Sequence, residues 1–322
     1  MSAEFSPGWP LRHPHVQSFL ASYKPRNRHR RGHAVVAASQ LHTLDCGDGV
    51  RLQGLHTPRA DARGLVALIH GWEGSHESAY LLSMACALFD AGYAVFRLNL
   101  RDHGGTHALN EDMFHSARLG EVLGALKAIE KLDSARPLFV IGFSLGGNFA
   151  LRLGMKGPEA GVRPALALGI CPAINPEATM RALDEGPRLF HRYFRDKWYK
   201  TLDAKTAAWP GRFDFSDLRD SPSFLEITAR FAERYTEYGA LDRYFAQYTL
   251  TPEMLLASPG PLAVITAQDD PVVPYRDFGN LAAQTRLPVL APAHGGHCGF
   301  IADWRLRSWA ERRTLELLER YR

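Results

Sequence analysis

The stretch "PLFVIGFSLGGNFAL", residues 137–151, runs apolar and β-branched residues directly into a helix-forming pattern, with Ser144 at the junction between Gly142 and Gly146. A buried strand followed at once by a helix leaves one residue to reverse the chain. Such a turn is strained, and its side chain stands clear only if the flanking residues lack bulky side chains. The G-x-S-x-G spacing therefore predicts a nucleophile elbow at Ser144. The helix opening behind it turns free N–H groups and a positive dipole end toward the place where an oxyanion would form, with the Leu145 N–H as the expected donor.

Outward from the elbow, apolar runs at 64–70, 93–100, 164–171, 261–270 and 287–297 read as strands, mostly buried on both faces. Between them, 78–92, 117–132, 146–157, 276–284 and 303–322 space apolar residues as amphipathic helices do. Strand and helix in alternation predict an α/β fold: a mostly parallel sheet with right-handed crossovers and helices on both faces. Residues 35–46 and 50–56, joined by Gly47-Asp48-Gly49, read as an antiparallel hairpin at its edge. The rhythm breaks between 172 and 255, where the chain is helical, dense in Phe, Tyr and Trp, and without a strand-like run. The expected organisation is an N-terminal arm at 1–32, a first core part at 33–171, a helical cap insertion at 172–255 and a second core part at 256–322. Aromatic residues of the cap, Phe194, Trp198 and Tyr199 among them, are expected to line the substrate channel.

Composition narrows the function. With 46% hydrophobic and 22% charged residues, the 322-residue chain is globular, and no window approaches the roughly 18–20 continuous apolar residues of a membrane span. The N-terminus lacks the basic start and apolar stretch of a secretory signal. Cys46, Cys86, Cys171 and Cys298 lie far apart with no CxxC pair, which suits a reducing compartment; the expected location is the cytoplasm. Of the net charge of +4, five positive charges sit in "KPRNRHRR" (Lys24, Arg26, Arg28, Arg30, Arg31), which leaves −1 for the rest. That is a local basic arm rather than a nucleic-acid-binding face. No GxGxxG or GxxxxGK[ST] occurs, and the histidines follow no HExxH spacing, so neither a cofactor nor a metal is expected.

A serine needs a base to take its proton and a carboxylate to orient that base. Asp269 and Asp270 stand at the end of the penultimate strand, and His294 and His297 in the loop after the last one. Serine, aspartate, histidine on successive strand ends is the chain order of an α/β hydrolase. In "HGWEGSHES", His70 and Gly71 close the first parallel strand so that the Trp72 N–H faces the serine as a second oxyanion donor. His70 is expected to brace this loop, and Cys298 to be a buried, small apolar residue.

Taken together, "HPHVQSF", "HGWEGSHESAY", "NLRDHGGTHALNEDMFHS", "GFSLGGNFAL", "AQDDPVVP" and "HGGHCGFI" resemble the YheT-like branch of the α/β-hydrolase superfamily, over nearly the whole chain. The resemblance implies Ser144 as nucleophile, His297 as base and Asp270 as acid, with Asp269 as the alternative. His103 stands where the family often has a small residue or cysteine. The expected function is a serine hydrolase of carboxylic esters with short to medium acyl chains, acting on a small-molecule or lipid ester without stable membrane insertion. Thioester hydrolysis or acyl transfer would use the same triad, and a binding protein that keeps the fold without catalysis, or a metal-dependent hydrolase, are the readings from other classes.

Overall fold

The computed structural model describes residues 5–24, 33–221, 223–279 and 281–322; of the basic run only Lys24 falls within them, and Arg26, Arg28, Arg30 and Arg31 lie outside. The chain opens with α1 (Pro14–Ser22) and α2 (Ala34–Ala37), then the strands β1 (Gln40–Asp45) and β2 (Arg51–Thr57). There follow β3 (Leu65–Ile69), α3 (Ala79–Asp90), β4 (Ala94–Leu98), α4 (Leu119–Leu132), β5 (Leu138–Phe143), α5 (Leu145–Lys156) and β6 (Leu166–Ile170). Helices α6 (Pro176–Glu185), α7 (Arg188–Ala208), α8 (Ser216–Arg219), α9 (Phe224–Tyr235), α10 (Leu241–Ala246) and α11 (Pro252–Leu256) come next. The chain then returns to the sheet with β7 (Leu262–Ile265) and β8 (Val289–Leu290) and closes on α12 (Trp309–Arg320).

The eight strands form one sheet in the order β1-β2-β4-β3-β5-β6-β7-β8. Strands β3 to β8 pair in parallel, while the β1/β2 hairpin joins antiparallel through β2 against β4, with Gly54 opposite Leu98. Central strands such as "LVALI" of β3 are uniformly apolar because both faces are covered. The pleat sorts their residues: Val66 and Leu68 pack with Met84 and Leu88 of α3 and Leu318 of α12, whereas Ala67 and Ile69 pack on the other face with Val122 and Leu126 of α4 and Phe149 of α5. All parallel strands therefore end at the same edge, where the loops carrying Gly71, Ser144, Asp270 and His297 converge.

Some local expectations differ. Residues 34–37 form a helical turn rather than strand, because the His33 ring accepts the Val35 N–H and Val35 turns fully into the core against α3. The segment 276–284, expected as a helix, is two single 3-10 turns, Tyr275–Phe278 and Leu281–Ala283, the first ended by Gly279 at a φ of +49°. The terminal helix starts only at Trp309, since the Asp303 carboxylate accepts the Arg305 N–H and holds a turn ahead of it.

The helices between β6 and β7 are anchored to the sheet by a buried cation. Lys205 of α7, with no solvent exposure, donates from Nζ to Asp102 Oδ1 at 2.9 Å and to the Asn110 and Asp112 carbonyls at 2.6 and 3.1 Å. Asp102, after β4, also accepts the Phe114 N–H at 2.7 Å.

Candidate active site

Ser144 occupies the one-residue turn between β5 and α5, at φ 54° and ψ −118°, a conformation that few side chains adopt. The flanking glycines make it feasible. A Cβ on Gly142 would lie 1.8 Å from the Gly146 carbonyl oxygen, and one on Gly146 would lie 2.3 Å from the His70 oxygen. Asn148, one turn into α5, fixes the helix from beneath: its amide donates to the carbonyls of Ala173 (2.9 Å) and Tyr248 (2.7 Å), tying the elbow to the segments after β6 and α10.

His297 sits in the loop after β8 with both ring nitrogens engaged. Nε2 is 2.9 Å from Ser144 Oγ, and Nδ1 is 2.9 and 3.1 Å from the two oxygens of Asp270. Asp270 is held in turn by the N–H groups of Val272 and Val273, at 2.8 and 2.9 Å. Burial alone would push the imidazole toward neutrality; the Asp270 carboxylate, by charge and hydrogen bonding, together with the Cys171 side chain, outweighs it and pushes the pKa up to about 10. Asp269 points elsewhere. Its Oδ1 accepts the Gly296 N–H at 2.8 Å and its Oδ2 lies 3.6 Å from His294, so it braces the histidine loop without touching the His297 ring. His294 thus stands beside Asp269, away from Ser144.

The loop after β3 is shaped by two imidazoles. His70 Nε2 accepts the Leu100 N–H (3.1 Å) and Nδ1 donates to the Gly71 carbonyl (2.7 Å); His103 Nε2 accepts the Glu73 N–H (3.2 Å) and Nδ1 donates to the Arg101 carbonyl (2.6 Å). Burial, helped by the neighbouring His103, holds His70 well below its ordinary pKa, which keeps the His70 ring uncharged. Gly71 donates to the Tyr80 hydroxyl at 2.9 Å, and Glu73 to His103. The Trp72 N–H between them donates to no acceptor among the described residues, and the same holds for the Leu145 N–H at the start of α5. Both residues, with Ser144 and His297, line a single cavity of about 1080 Å³. The Trp72 ring leaves the loop to pack against Phe194, Trp198 and Phe224, at ring-centroid distances of 6.0, 5.6 and 5.8 Å.

Phe194 and Trp198 of α7 line the cavity, whereas Tyr199 does not. One step further round the helix, its ring packs beside the guanidinium groups of Arg195 and Arg219 and its hydroxyl donates to the Arg219 carbonyl at 3.2 Å. The expectation that Tyr199 lines the substrate channel is therefore corrected: consecutive residues of a helix face different ways. Helix α1 supplies Val16, Ser18 and Phe19 to the cavity; all three lie in the "HPHVQSF" stretch, whose resemblance to the family did not indicate a place at the site.

Cys171, His297 and Cys298 bring three atoms of metal-binding type within 4.8 Å of one another. They do not fit a resident metal. His297 has no nitrogen to spare, and Cys171 is fully buried with its pKa pushed well above that of an ordinary thiol by burial and by the Cys298 thiol. The Cys171 sulfur instead accepts the Cys298 N–H at 3.3 Å.

A serine at a strand-to-helix elbow on the carboxyl edge of a mostly parallel sheet, with aspartate and histidine following in that chain order, defines an α/β hydrolase. The chain belongs to the Alpha/beta hydrolase family, which its residues 66–306 match. Within that family it is similar to the "Putative esterase YheT" of Escherichia coli (strain K12), at 26% identity over an alignment that covers 99% of this chain and 94% of that protein. A shorter match, 25% identical over 177 residues, covers 51% of this chain and 42% of the Monoacylglycerol lipase ABHD2 of Danio rerio. The solved esterase Pf2001 of Pyrococcus furiosus shares the fold, with a TM-score of 0.57 and 16% identity over 88% of this chain and 92% of that one. The chain is thus an esterase-like hydrolase, and no helix among its described residues is long and apolar enough to cross a membrane.

Proposed function

We propose that the protein is a serine hydrolase of carboxylic esters, working through Ser144, His297 and Asp270. The observation that carries this reading is the unbroken relay from Ser144 Oγ through both His297 nitrogens to Asp270, opening onto an apolar cavity. Ser144 Oγ attacks the ester carbonyl while His297 Nε2 takes its proton, and the Trp72 and Leu145 N–H groups hold the resulting oxyanion. As the tetrahedral intermediate collapses, the ester C–O bond breaks and His297 returns the proton to the departing alkoxide, leaving an acyl-serine. Water, deprotonated by the same imidazole, then attacks the acyl carbon and frees the carboxylic acid and Ser144. Asp270 keeps Nδ1 protonated throughout and stabilises the imidazolium formed in each half-reaction.

The helices between β6 and β7 act in this reading as a cap, with Phe194 and Trp198 on the acyl channel. A mostly apolar lining suits an ester with a short or medium acyl chain, from a small molecule or a lipid, and the relatives named as an esterase and a monoacylglycerol lipase are in keeping with that class. All four cysteines are free, which favours a reducing compartment, and we place the protein in the cytoplasm. Hydrolysis of p-nitrophenyl butyrate by the purified chain tests the reading. Turnover that survives Ser144→Ala within tenfold would contradict it, because removal of the nucleophile is expected to cost at least about a thousandfold.

A further inference from the structure

The loop that carries His297 is held from outside the family-matched span, which begins at residue 66. Helix α1 lies against this loop, and its fit depends on two glycines. A Cβ on Gly296 would fall 2.3 Å from the Pro14 carbonyl oxygen, and one on Gly299 would fall 2.5 Å from the Gln17 oxygen. The contact is polar as well as close. Ser18 Oγ accepts the backbone N–H of His297 itself at 2.8 Å and spends its own proton on the Pro14 carbonyl at 2.7 Å, so the hydroxyl has one orientation and presents a lone pair to His297. One residue earlier, the fully buried Gln17 closes a second link: Oε1 accepts the Ile301 N–H at 2.6 Å, and Nε2 donates to the Leu11 and Ile301 carbonyls at 2.5 and 3.0 Å.

Every backbone N–H from 296 to 298 is therefore met by a side chain from a different element: Asp269 after β7 for Gly296, Ser18 of α1 for His297, Cys171 after β6 for Cys298. The Ser18 bond is the one made to the residue that must reach Ser144.

We propose that Ser18 is a positioning residue for His297, clamped by Gln17, so that α1 is part of the catalytic apparatus rather than an ornament of the fold. This rests on the hydrolase reading above. A helix gripping the histidine loop fixes how far Nε2 stands from Ser144 Oγ, and a displacement of about 1 Å at that gap costs on the order of a hundredfold in rate. Loss of the Ser18 acceptor leaves the His297 N–H unpaired in a half-buried site and frees the loop to shift. The defect belongs to the chemical step, not to acyl-chain binding.

The test uses the full chain with Ser18→Ala and Ser18→Thr, compared with the unaltered protein in p-nitrophenyl butyrate kinetics, in the rate of Ser144 modification by a fluorophosphonate, and in thermal midpoint. Ser18→Ala is expected to lower kcat and the modification rate by about tenfold or more, with KM within twofold, while Ser18→Thr, which keeps the acceptor oxygen, recovers most of the loss. Equal kcat in Ser18→Ala, a loss confined to KM, a loss matched by the fraction of unfolded protein, or no recovery in Ser18→Thr would each overturn the assignment. Absence of modification and turnover in the unaltered protein would overturn the hydrolase reading itself, and this inference with it.

Discussion

At His297 one ring nitrogen faces a hydroxyl and the other a carboxylate, and the carboxylate sets the protonation. A protonated imidazole cannot accept the Ser144 proton, so kcat/KM should rise with pH along a limb placed above the ordinary imidazole value near 6.5, as His297 loses its proton. Replacing Asp270 by Asn removes the negative charge that raises this pKa: the limb should move to lower pH while the plateau falls by about 10³- to 10⁴-fold. The same coupling has a stability side. A pKa raised in the folded protein gives stabilisation that is complete below the unfolded value and fades as pH rises through the folded one. Asp269→Asn, which disturbs only the brace to Gly296 and His294, should keep activity within about tenfold. Kinetics of the two variants across pH 5 to pH 10 check both statements; equal losses, or a larger loss in Asp269→Asn, would contradict Asp270 as the orienting carboxylate. The elbow at Ser144 was legible from its two flanking glycines together with the buried strand that leads into it and the helix that opens behind it. The two aspartates were not separable by spacing, because adjacent residues at a strand end differ only in which way they point.

At the scale of elements, the strands and crossover helices were legible because burial on both faces writes itself as uniform apolar runs. Contacts between distant segments leave no such trace: the bond from Ser18 to His297 spans 279 residues, and the Lys205 to Asp102 pair spans 103. A lysine in an amphipathic helix reads as surface, yet Lys205 is buried against four carbonyl and carboxylate oxygens. Lys205→Ala would leave Asp102 buried without its cation, a loss of about 3–5 kcal/mol that denaturant unfolding should register. An unfolding midpoint unchanged by that substitution would show that α7 is held by its apolar contacts instead. The elbow has less latitude. Gly146→Ala places a methyl against the His70 carbonyl, 2.3 Å away, where backbone rather than a flexible side chain must yield. It should abolish soluble expression or reduce turnover at least about a hundredfold, and an active, well-folded Gly146→Ala protein would contradict the close packing of β3 on α5.

Over the whole molecule, the sheet gathers Ser144, Asp270 and His297 at one edge and the helices between β6 and β7 meet α1 above them, so that a cavity of about 1080 Å³ forms between layers far apart in sequence. The His15 ring of α1 stands 5.2 Å from the Phe190 ring of α7, and both line the cavity, so this contact joins its two walls. If the apolar lining receives the acyl chain, each methylene transferred is worth about 0.8 kcal/mol, so two further carbons should raise kcat/KM by roughly tenfold until the channel is full. A series of p-nitrophenyl esters from acetate to palmitate should show that rise and a peak at short to medium length, whereas a flat series would remove the cavity from substrate selection. The aromatic density of this region was plain in the sequence, but which rings face inward was decided by helical phase and by the anchoring of α7, which is why Phe194 and Trp198 line the cavity and Tyr199 does not. Beneath all of this lies the assignment of Ser144 as nucleophile. The most direct measurement is mass-spectrometric mapping of the peptide modified by a fluorophosphonate: phosphonylation on Ser144, abolished together with ester turnover in Ser144→Ala, is the expected result, and modification elsewhere, or none in the folded protein, would contradict it.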